Sequence, residues 1–264
     1  MKIILSRKGF DSANGGVPSP ILPDGTMLSM PIPSKDALRF RDLCCGGHTY
    51  EEILRQLAPK RTFETCHLDP DIKADIRAKT VPNWKPAFGQ VGSAQGYLEN
   101  QQVGPGDLFL FFGRFQKTLG DIANGTLHFD KQAPIIHVIY GYMEIGALVP
   151  NDKIAKNDYL WHPHGFETRL YNETNNVLYL PAEQLSFDSN RSGWGIVHYA
   201  EKRVLTMSNK TATWKEIPAL MPDNISGNKN NSTKGGGIFY QGIWQEMVLK
   251  ENDLSEEWAK SMLL

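Results

Sequence analysis

Two short runs of histidine and aspartate are the residues of this sequence best suited to chemistry. His67, Asp69 and Asp71 alternate in the first run, and His162 and His164 alternate in the second. Alternate residues of an extended segment face the same side, so each run can direct its side chains to one point. Imidazoles and carboxylates bind divalent metal ions or act as an acid/base pair, and the spacing leaves both open. The competing interpretation is structural, with turn-forming aspartates and packed histidines.

A cationic cluster near the start of the sequence suits a phosphate group. Ser6, Arg7 and Lys8 follow an apolar run and open a glycine-rich segment. Arginine forks bind phosphate oxygens in pairs, and lysine adds a point charge. Asp11 fits a base or a partner for a sugar hydroxyl, although a capped turn explains it equally well. The pattern Gly-x-x-x-x-Gly-Lys-Ser/Thr is absent, so kinase chemistry of that type is not indicated, and a solvated turn is the plain alternative.

Further residues are candidates for substrate contact through stacking, hydrogen bonding or close backbone approach. Aromatic rings can stack on a base, although core packing is the ordinary role of a single aromatic. The remaining candidates for substrate binding are Gly15, Gly16, Ser19, Trp84, Phe88, Gln90, Ser93 and Arg114. The cysteines Cys44, Cys45 and Cys66 could ligate zinc with a histidine nearby. Adjacent cysteines rarely share one ion well, so the sequence favours packed thiols.

The charge balance limits the kinds of partner that this chain can bind. Its 264 residues include 28 lysines and arginines against 29 aspartates and glutamates, a formal net charge of −1. A protein that grips a long nucleic acid needs a clear surplus of positive charge, so we expect a pocket for one nucleotide or one extruded base, with at most transient DNA contact. No run approaches ~18 apolar residues, so we expect no membrane partner. Three cysteines fit a reducing compartment and a cytoplasmic protein.

Helix signals are few and clear. A capping box at residues 49–52 predicts a helix that ends before Pro59. Further helices are expected at residues 93–101 and from about residue 253. Residues 9–34 are rich in glycine and proline, and we expect them to form neither helix nor central strand, but to wrap the core or line a site.

Strand signals are more numerous than helix signals. β-Branched and aromatic residues bounded by turn residues predict strands. They occur at residues 107–112, 135–140, 177–180, 195–199, 203–206 and 237–244. Because no alternating strand–helix rhythm is present, the sequence predicts an α+β protein, with a strand-rich mixed or antiparallel sheet or barrel and a few peripheral helices. We expect residues 1–264 to form a single domain.

The opening segment resembles a known family. The letters ILSRKGFD at residues 4–11 and GGVPSPILPDG at residues 15–25 are similar to the third of the nucleotide-modification-associated domain families. These families occur in bacteria and phages and are associated, through gene neighbourhood, with DNA base hypermodification. The resemblance implies one such domain over essentially the whole chain, in a bacterial cell or a phage-infected host. It carries no catalytic residues to this sequence.

A local segment is similar to small β-barrels that read modified bases, the pseudouridine-synthase-associated barrel group. The letters QVGSAQGYL at residues 90–98 and VGPGDLFLFF at residues 103–112 match the short helix, the Gly-Asp turn and the strand of that pattern. Gly141 matches the glycine of the following strand. The resemblance implies a barrel-like core within about residues 80–206, with an aromatic cage that these motifs do not place.

Together these observations predict a protein that takes part in nucleotide or DNA-base modification. We expect it to bind a phosphate-bearing nucleotide or a flipped-out base, with the phosphate at the cationic cluster and acid/base or metal work at the two histidine-bearing runs. Whether it is an enzyme stays open. The alternatives are a non-catalytic reader of a modified base and a binder that sequesters a small nucleotide signal. No cofactor or oligomeric state is identified, although a divalent metal fits the histidine and aspartate residues.

Overall fold

A large, curled, mixed sheet dominates the computed structural model, which describes residues 1–154, 156, 159–166, 170, 175–207, 210–227, 232–234, 236–242 and 245–264. The strands are β1 (Ile3–Arg7), β2 (Ser19–Ile21), β3 (Ile32–Pro33), β4 (Cys44–Cys45), β5 (His48–Thr49), β6 (Cys66–His67), β7 (Phe88–Gln90), β8 (Leu108–Leu119), β9 (His128–Phe129), β10 (Ile136–Pro150), β11 (Val177–Pro181), β12 (Gln184–Leu185), β13 (Asp188–Ser192), β14 (Trp194–Ile196), β15 (Thr213–Trp214), β16 (Ser232–Lys234), β17 (Gly237–Phe239) and β18 (Glu246–Val248). The helices are α1 (Tyr50–Leu57), α2 (Gly92–Asn100), α3 (Asn151–Ile154) and α4 (Asp253–Leu263).

The main sheet has the strand order β18-β1-β8-β10-β11-β7. Strands β2 and β9 also pair with β8, and β14 pairs with β10. Strands β1 and β2 run parallel to β8, and the other pairs in this sheet are antiparallel. The predicted α+β class with a mixed, strand-rich sheet is therefore confirmed.

The two ends of this strand order approach each other. Gln90 on β7 donates a hydrogen bond of 2.7 Å from Nε2 to Oε1 of Glu246 on β18. Helix α2 lies against the same seam, since the backbone N–H of Val248 donates to the Tyr97 hydroxyl. Within the described residues, no backbone pairing joins β7 to β18. The sheet thus curls like half a barrel, and side chains link its ends.

Apolar burial explains where the sheet and the first helix sit. Residues 108–112 of β8 are all at most 1% exposed, as expected for a central strand that is covered on both faces. Helix α1 packs Tyr50 and Ile53 into a second apolar cluster with Phe10 and Phe40. Its first turn is closed by the predicted capping box, in which Thr49 and Glu52 each bond the other's backbone N–H.

One local prediction differs from the structure. Residues 201–203 form a 3₁₀ turn, and the expected strand at 203–206 is reduced to isolated bridges at Val204 and Thr206. Residues 9–34 contain neither a helix nor a central strand, as expected, but Ser19–Ile21 adds a short strand that pairs with β8. Pro20 is tolerated there because its strand pairs with one neighbour, so a missing N–H costs little.

The other predicted elements are present with shifted bounds. Helices α2 and α4 begin within one residue of the expected positions. The predicted strand at 237–244 covers β17, and residues 243 and 244 lie outside the described part of the chain. None of the helices in the described residues is long and apolar enough to cross a bilayer.

One histidine is buried inside the sheet. His137 on β10 is 6% exposed, and its Nδ1 accepts a hydrogen bond of 3.0 Å from the indole N–H of Trp214. Burial, together with the nearby cations Arg7 and Arg114, lowers the pKa of His137 to about 3. The imidazole is therefore neutral in the folded protein at neutral pH and serves as a hydrogen-bond acceptor in the core.

This burial predicts a specific dependence of stability on pH. The unfolded chain protonates His137 near an ordinary histidine pKa of about 6.5, whereas the folded chain does not do so until about 3. Stability from this residue is complete above that unfolded value and falls as the pH decreases, by up to about 1.4 kcal/mol per pH unit. Urea unfolding at pH 7 and pH 5 should show a smaller stability loss for His137→Gln than for the wild type.

The exposed His128 provides the matched control. His128→Gln should keep the wild-type difference between the two pH values. If His137→Gln also keeps that difference in full, the buried imidazole does not cause the pH dependence.

Candidate functional site

A cavity of about 190 Å³ lies at the end of β1, beside the seam between β7 and β18. Its walls bring together residues that are far apart in sequence. The lining residues are Arg7, Lys8, Gly9, Asp11, Asn14, Ile32, His67, Asp69, Gln90, Val91, His164 and Gln245. The cationic cluster and both histidine-bearing runs therefore contribute to one cavity.

Three groups of this lining form a compact cluster. One ligand atom from each of His67, Asp69 and His164 lies within 4.8 Å of the others, and the described residues contain no other group of three or more histidine, cysteine or carboxylate side chains gathered in this way. His164 Nε2 lies 3.9 Å from Asp69 Oδ2. The rings of His67 and His164 are 5.3 Å apart between centroids. We call these three residues the triad.

Hydrogen bonds fix the orientation of the triad. Nδ1 of His67 lies 2.6 Å from Oδ2 of Asp36, and the carboxylate accepts a hydrogen bond from the N–H of that nitrogen. Nδ1 of His164 lies 2.7 Å from Oδ1 of Asn176. The Asn176 amide nitrogen donates to the backbone carbonyl of His164, so its oxygen faces the imidazole and accepts from it. Asp69 accepts the backbone N–H of Gly89 at 2.8 Å.

A glycine makes room for the second imidazole. A Cβ atom at position 89 would overlap the ring of His164, which lies directly against that backbone. Gly89 is on β7 and its N–H also bonds Asp69, so one backbone position contacts two members of the triad. The local chain of His164 is set by the 3₁₀ turn Pro163–Gly165, in which proline begins the turn.

His162 and Asp71 have other surroundings than the triad. His162 is fully buried, with its Nε2 3.6 Å from Oδ1 of Asp69 and its Nδ1 accepting the backbone N–H of His164. His162 thus contacts two residues of the triad, and it is not among the residues that line the cavity. Asp71 does not join His67 and Asp69, because it is buried against Arg77 at 2.5 Å. Burial raises the pKa of Asp71, and the Arg77 guanidinium opposes that shift.

The cationic side of the cavity contains two different kinds of ion pair. Lys8 is 9% exposed, and its ammonium lies 3.1 Å from Oε1 of the fully buried Glu246. The same ammonium lies 4.3 Å from the centroid of the Phe88 ring. Arg7 is more accessible at 20%, and its nearest carboxylate oxygen, on Asp11, is 3.8 Å away. Arg7 is therefore the cation that a ligand reaches more easily.

Glu246 organises the wall behind these cations. Its Oε1 accepts hydrogen bonds from the Ser6 hydroxyl at 3.0 Å, from Lys8 and from Gln90. Sequence reasoning missed Glu246, although a single charged residue within the apolar stretch 246–249 is a weak signal of a buried ionic role. Ser6 and Gln90 were expected to bind substrate, and the structure gives both a hydrogen bond to this carboxylate.

Several predicted substrate-binding residues lie outside the cavity lining. Ser19 is buried and accepts the backbone N–H of Met30, Phe88 is fully buried in the core, and Ser93 is exposed on α2. Trp84 packs against Trp161 and Trp194. Ser6, Gly15, Gly16 and Arg114 are also outside the lining. A Cβ at Gly15 would meet Phe10 and one at Gly16 would meet Arg61, whereas Arg114 pairs with His137 of β10 in the sheet.

Neither the cysteines nor a second, larger cavity adds to this site. Cys44 and Cys45 are half-buried on the β4–β5 hairpin, whereas Cys66 is buried in the second apolar cluster. Burial raises the pKa of the Cys66 thiol. A larger cavity of about 480 Å³ beside Tyr199 includes none of the predicted catalytic residues.

Comparison with protein families identifies the family of this chain. The model of the family described as "Nucleotide modification associated domain 3" matches residues 2–251. No curated protein matches the chain, and no solved structure matches it.

The contact between Gly89 and His164 predicts the effect of one added methyl group. Gly89→Ala should displace the His164 ring and cost about 1–3 kcal/mol of unfolding free energy, because the cavity wall has no room for the Cβ. Urea unfolding measures the cost, and the histidine side-chain signals in NMR spectra report the displacement. Gly96→Ala is the control, since a Cβ there meets no atom within 4 Å.

The control substitution should be neutral or stabilising by about 0.5–1 kcal/mol, because alanine is favoured over glycine inside a helix. Equal stability changes for the two variants, with unmoved histidine signals, would contradict the tight packing of His164 on β7.

Proposed function

Since the chain belongs to the nucleotide modification associated domain 3 family, we propose that its cavity binds a phosphate-bearing nucleotide or a flipped-out base and is the place where that base or nucleotide is modified. One observation carries the proposal: Arg7, Asp69 and His164 line the same cavity. Phosphate recognition and acid/base or metal chemistry are thus available to a single ligand. The family match supports the nucleotide theme, and the lining supports the location.

The phosphate is assigned to Arg7 rather than to Lys8. The Lys8 ammonium is nearly buried and forms an ion pair with Glu246. If Lys8 moved to bind a phosphate, the buried Glu246 carboxylate would lose its positive partner, which is costly. The side chain of Arg7 is 20% exposed, and its guanidinium lies 3.8 Å from the Asp11 carboxylate. This ion pair is long, so a phosphate oxygen can take the place of Asp11 as the partner of Arg7. Lys8 then has a structural role, because its ion pair with Glu246 holds the end of β1 in place.

The size of the cavity favours recognition of part of a nucleotide. Its volume of about 190 Å³ is below the roughly 300 Å³ at which typical small-molecule pockets begin. A phosphate with one sugar or one base fits this scale, and a dinucleotide does not. This agrees with the chain's net charge of −1, which does not provide a basic groove for a long duplex.

An enzyme is favoured over a non-catalytic reader. A reader would present aromatic rings on which the base stacks. Among the residues that the structure describes, the cavity lining contains no tryptophan, tyrosine or phenylalanine, and the candidates Trp84 and Phe88 pack elsewhere. The lining offers instead imidazole and carboxylate groups, which hold or transfer protons. We therefore assign the chemical step to His67, Asp69 and His164, as acid/base groups or as ligands of a metal ion.

The phosphate assignment predicts how nucleotide affinity responds to charge removal. Arg7→Gln should weaken the binding of deoxynucleoside monophosphates about 10- to 150-fold, the equivalent of about 1.5–3 kcal/mol for hydrogen bonds to a charged group. Calorimetric titration of the four monophosphates and the four parent nucleosides measures it. The variant should bind nucleotides no better than nucleosides.

Two further variants separate affinity from stability. Arg55→Gln on α1 is the matched control, because Arg55 is exposed and is not among the lining residues. Lys8→Gln should mainly lower stability, by about 3–5 kcal/mol, because it leaves buried Glu246 without its cation. Wild-type nucleotide affinity in a folded Arg7→Gln protein would refute the phosphate assignment.

Catalysis is tested by the fate of the ligand. The wild-type chain is incubated with deoxynucleotides and with plain or modified DNA, together with a small-molecule cell extract that supplies any group donor, and the digested nucleosides are analysed by mass spectrometry. A nucleoside of changed mass should form with the wild type and with Asp75→Asn, whose exposed carboxylate is outside the cavity. Asp69→Asn should lower its yield at least about 100-fold. Recovery of only unchanged ligand from a tight complex would favour a reader or a sequestering binder.

A further inference from the structure

We propose that the triad of His67, Asp69 and His164 binds one divalent first-row transition-metal ion in the wall of the cavity. The inference starts from geometry: the three side chains come from two segments about a hundred residues apart, yet one ligand atom of each lies within 4.8 Å of the others. The side chains of His164 and Asp69 are only 3% and 4% exposed. A buried carboxylate that faces imidazoles is an arrangement that a bound cation stabilises.

The surroundings of the triad orient it for metal binding. In metal sites, a ligating histidine donates its other ring N–H to a carboxylate or carbonyl oxygen. His67 does this with Asp36, and His164 does it with the amide oxygen of Asn176. Both bonds use Nδ1, so the ion would be ligated by Nε2 of each ring. Nε2 of His164 is the nitrogen that faces Asp69.

The donor types select the class of metal. Calcium and magnesium prefer sets of oxygen ligands, whereas imidazole suits zinc, iron, cobalt, nickel and copper. Two imidazoles and one carboxylate are used in zinc hydrolases and in non-haem iron(II) proteins. The described residues within the cluster provide three protein ligands, and these three residues also line the cavity. The remaining coordination positions would therefore face the ligand cavity, as in catalytic metal sites.

Charge balance connects the metal with the proposed phosphate-bearing ligand. The lining cations are each opposed by a carboxylate, Arg7 by Asp11 and Lys8 by Glu246. Asp69 adds a further carboxylate to the same wall. These charges leave the cavity wall with one more negative than positive charge, which does not favour a doubly charged phosphate. The two positive charges of a divalent metal ion would make the net charge of the wall positive. A metal at the triad would thus help a cavity with one accessible arginine to hold the phosphate-bearing ligand of the proposed function.

Binding should draw the triad together. Ligand atoms about 2.0–2.2 Å from one tetrahedral ion lie roughly 3.3–3.6 Å apart. Nε2 of His164 and Oδ2 of Asp69 are 3.9 Å apart, so they would move closer by a few tenths of an ångström. Small rotations of the two rings are enough, because Asp36 and Asn176 hold each ring by a single nitrogen. The signals of His67 and His164 in NMR spectra should therefore shift when zinc is added.

Metal binding is measured on the untagged chain after removal of metal by a chelator. Titration with cobalt(II) and with zinc should give one site per chain, whereas magnesium should not compete at equal concentration. His67→Ala and His164→Ala should each weaken cobalt affinity at least about 100-fold, and Asp36→Asn about 10- to 100-fold, because Asp36 only orients a ligand. His128→Ala, at an exposed histidine, should bind like the wild type.

The cobalt spectrum distinguishes the triad from the cysteine hairpin. Ligation by imidazole and carboxylate gives no thiolate-to-cobalt charge-transfer band, whereas Cys44 and Cys45 would give one. Circular dichroism shows whether each variant is folded. If a variant of a ligand residue does not fold, the cobalt affinity of Asp36→Asn tests the inference instead. No binding by the wild type, unchanged affinity in folded triad variants or a thiolate band lost in Cys44→Ser would each overturn the inference.

The inference rests on the proposed function only for the purpose of the metal, not for its presence. Metal titration contains no nucleotide, so the two proposals can fail separately. A chain that binds cobalt at the triad but no nucleotide would keep the metal site and refute the nucleotide cavity. Nucleotide binding that is unaffected by chelator, in a protein with no metal affinity, would keep the nucleotide cavity and refute the metal site.

Discussion

The carboxylate of Glu246 joins the two ends of the curled sheet. It lies on β18 and accepts hydrogen bonds from Ser6 on the adjacent β1 and from Lys8, which directly follows β1. It also accepts one from Gln90 on β7, at the far end of the strand order. A fully buried carboxylate is costly unless several donors and an opposite charge surround it. This requirement brings β1 and β7 together, and the cavity lies where they meet.

Local sequence signals were sufficient for much of the fold but not for its closure. The capping box at Thr49 and the phenylalanine-rich run of β8 act within a few residues, so they could be recognised in the sequence. The parallel pairing of β1 with β8 joins residues about a hundred positions apart. The strand at Ser19–Ile21 depends on that same neighbour to override its proline-rich composition. Such pairings are tertiary, and no local propensity reports them.

The site was predictable to a similar extent. Alternation correctly suggested that His67 and Asp69 could converge, but it also included Asp71, which is paired with Arg77. The ordinary character of Asp36 in the sequence gave no sign that it would hold His67. Charge alone could not distinguish Arg7 from Lys8, because the difference lies in the buried partner that each finds. Residue type thus indicated the chemistry, and the fold determined which residues share it.

The central claim is that one cavity holds a metal ion at the triad and a nucleotide phosphate at Arg7. A crystal structure of the chain grown with zinc and a deoxynucleoside monophosphate, with anomalous data at the zinc edge, tests both halves at once. The account predicts an anomalous peak within about 2.0–2.2 Å of His67, Asp69 and His164, with the phosphate against the Arg7 guanidinium. A peak at the cysteine hairpin, or a nucleotide bound in another cavity, would contradict it.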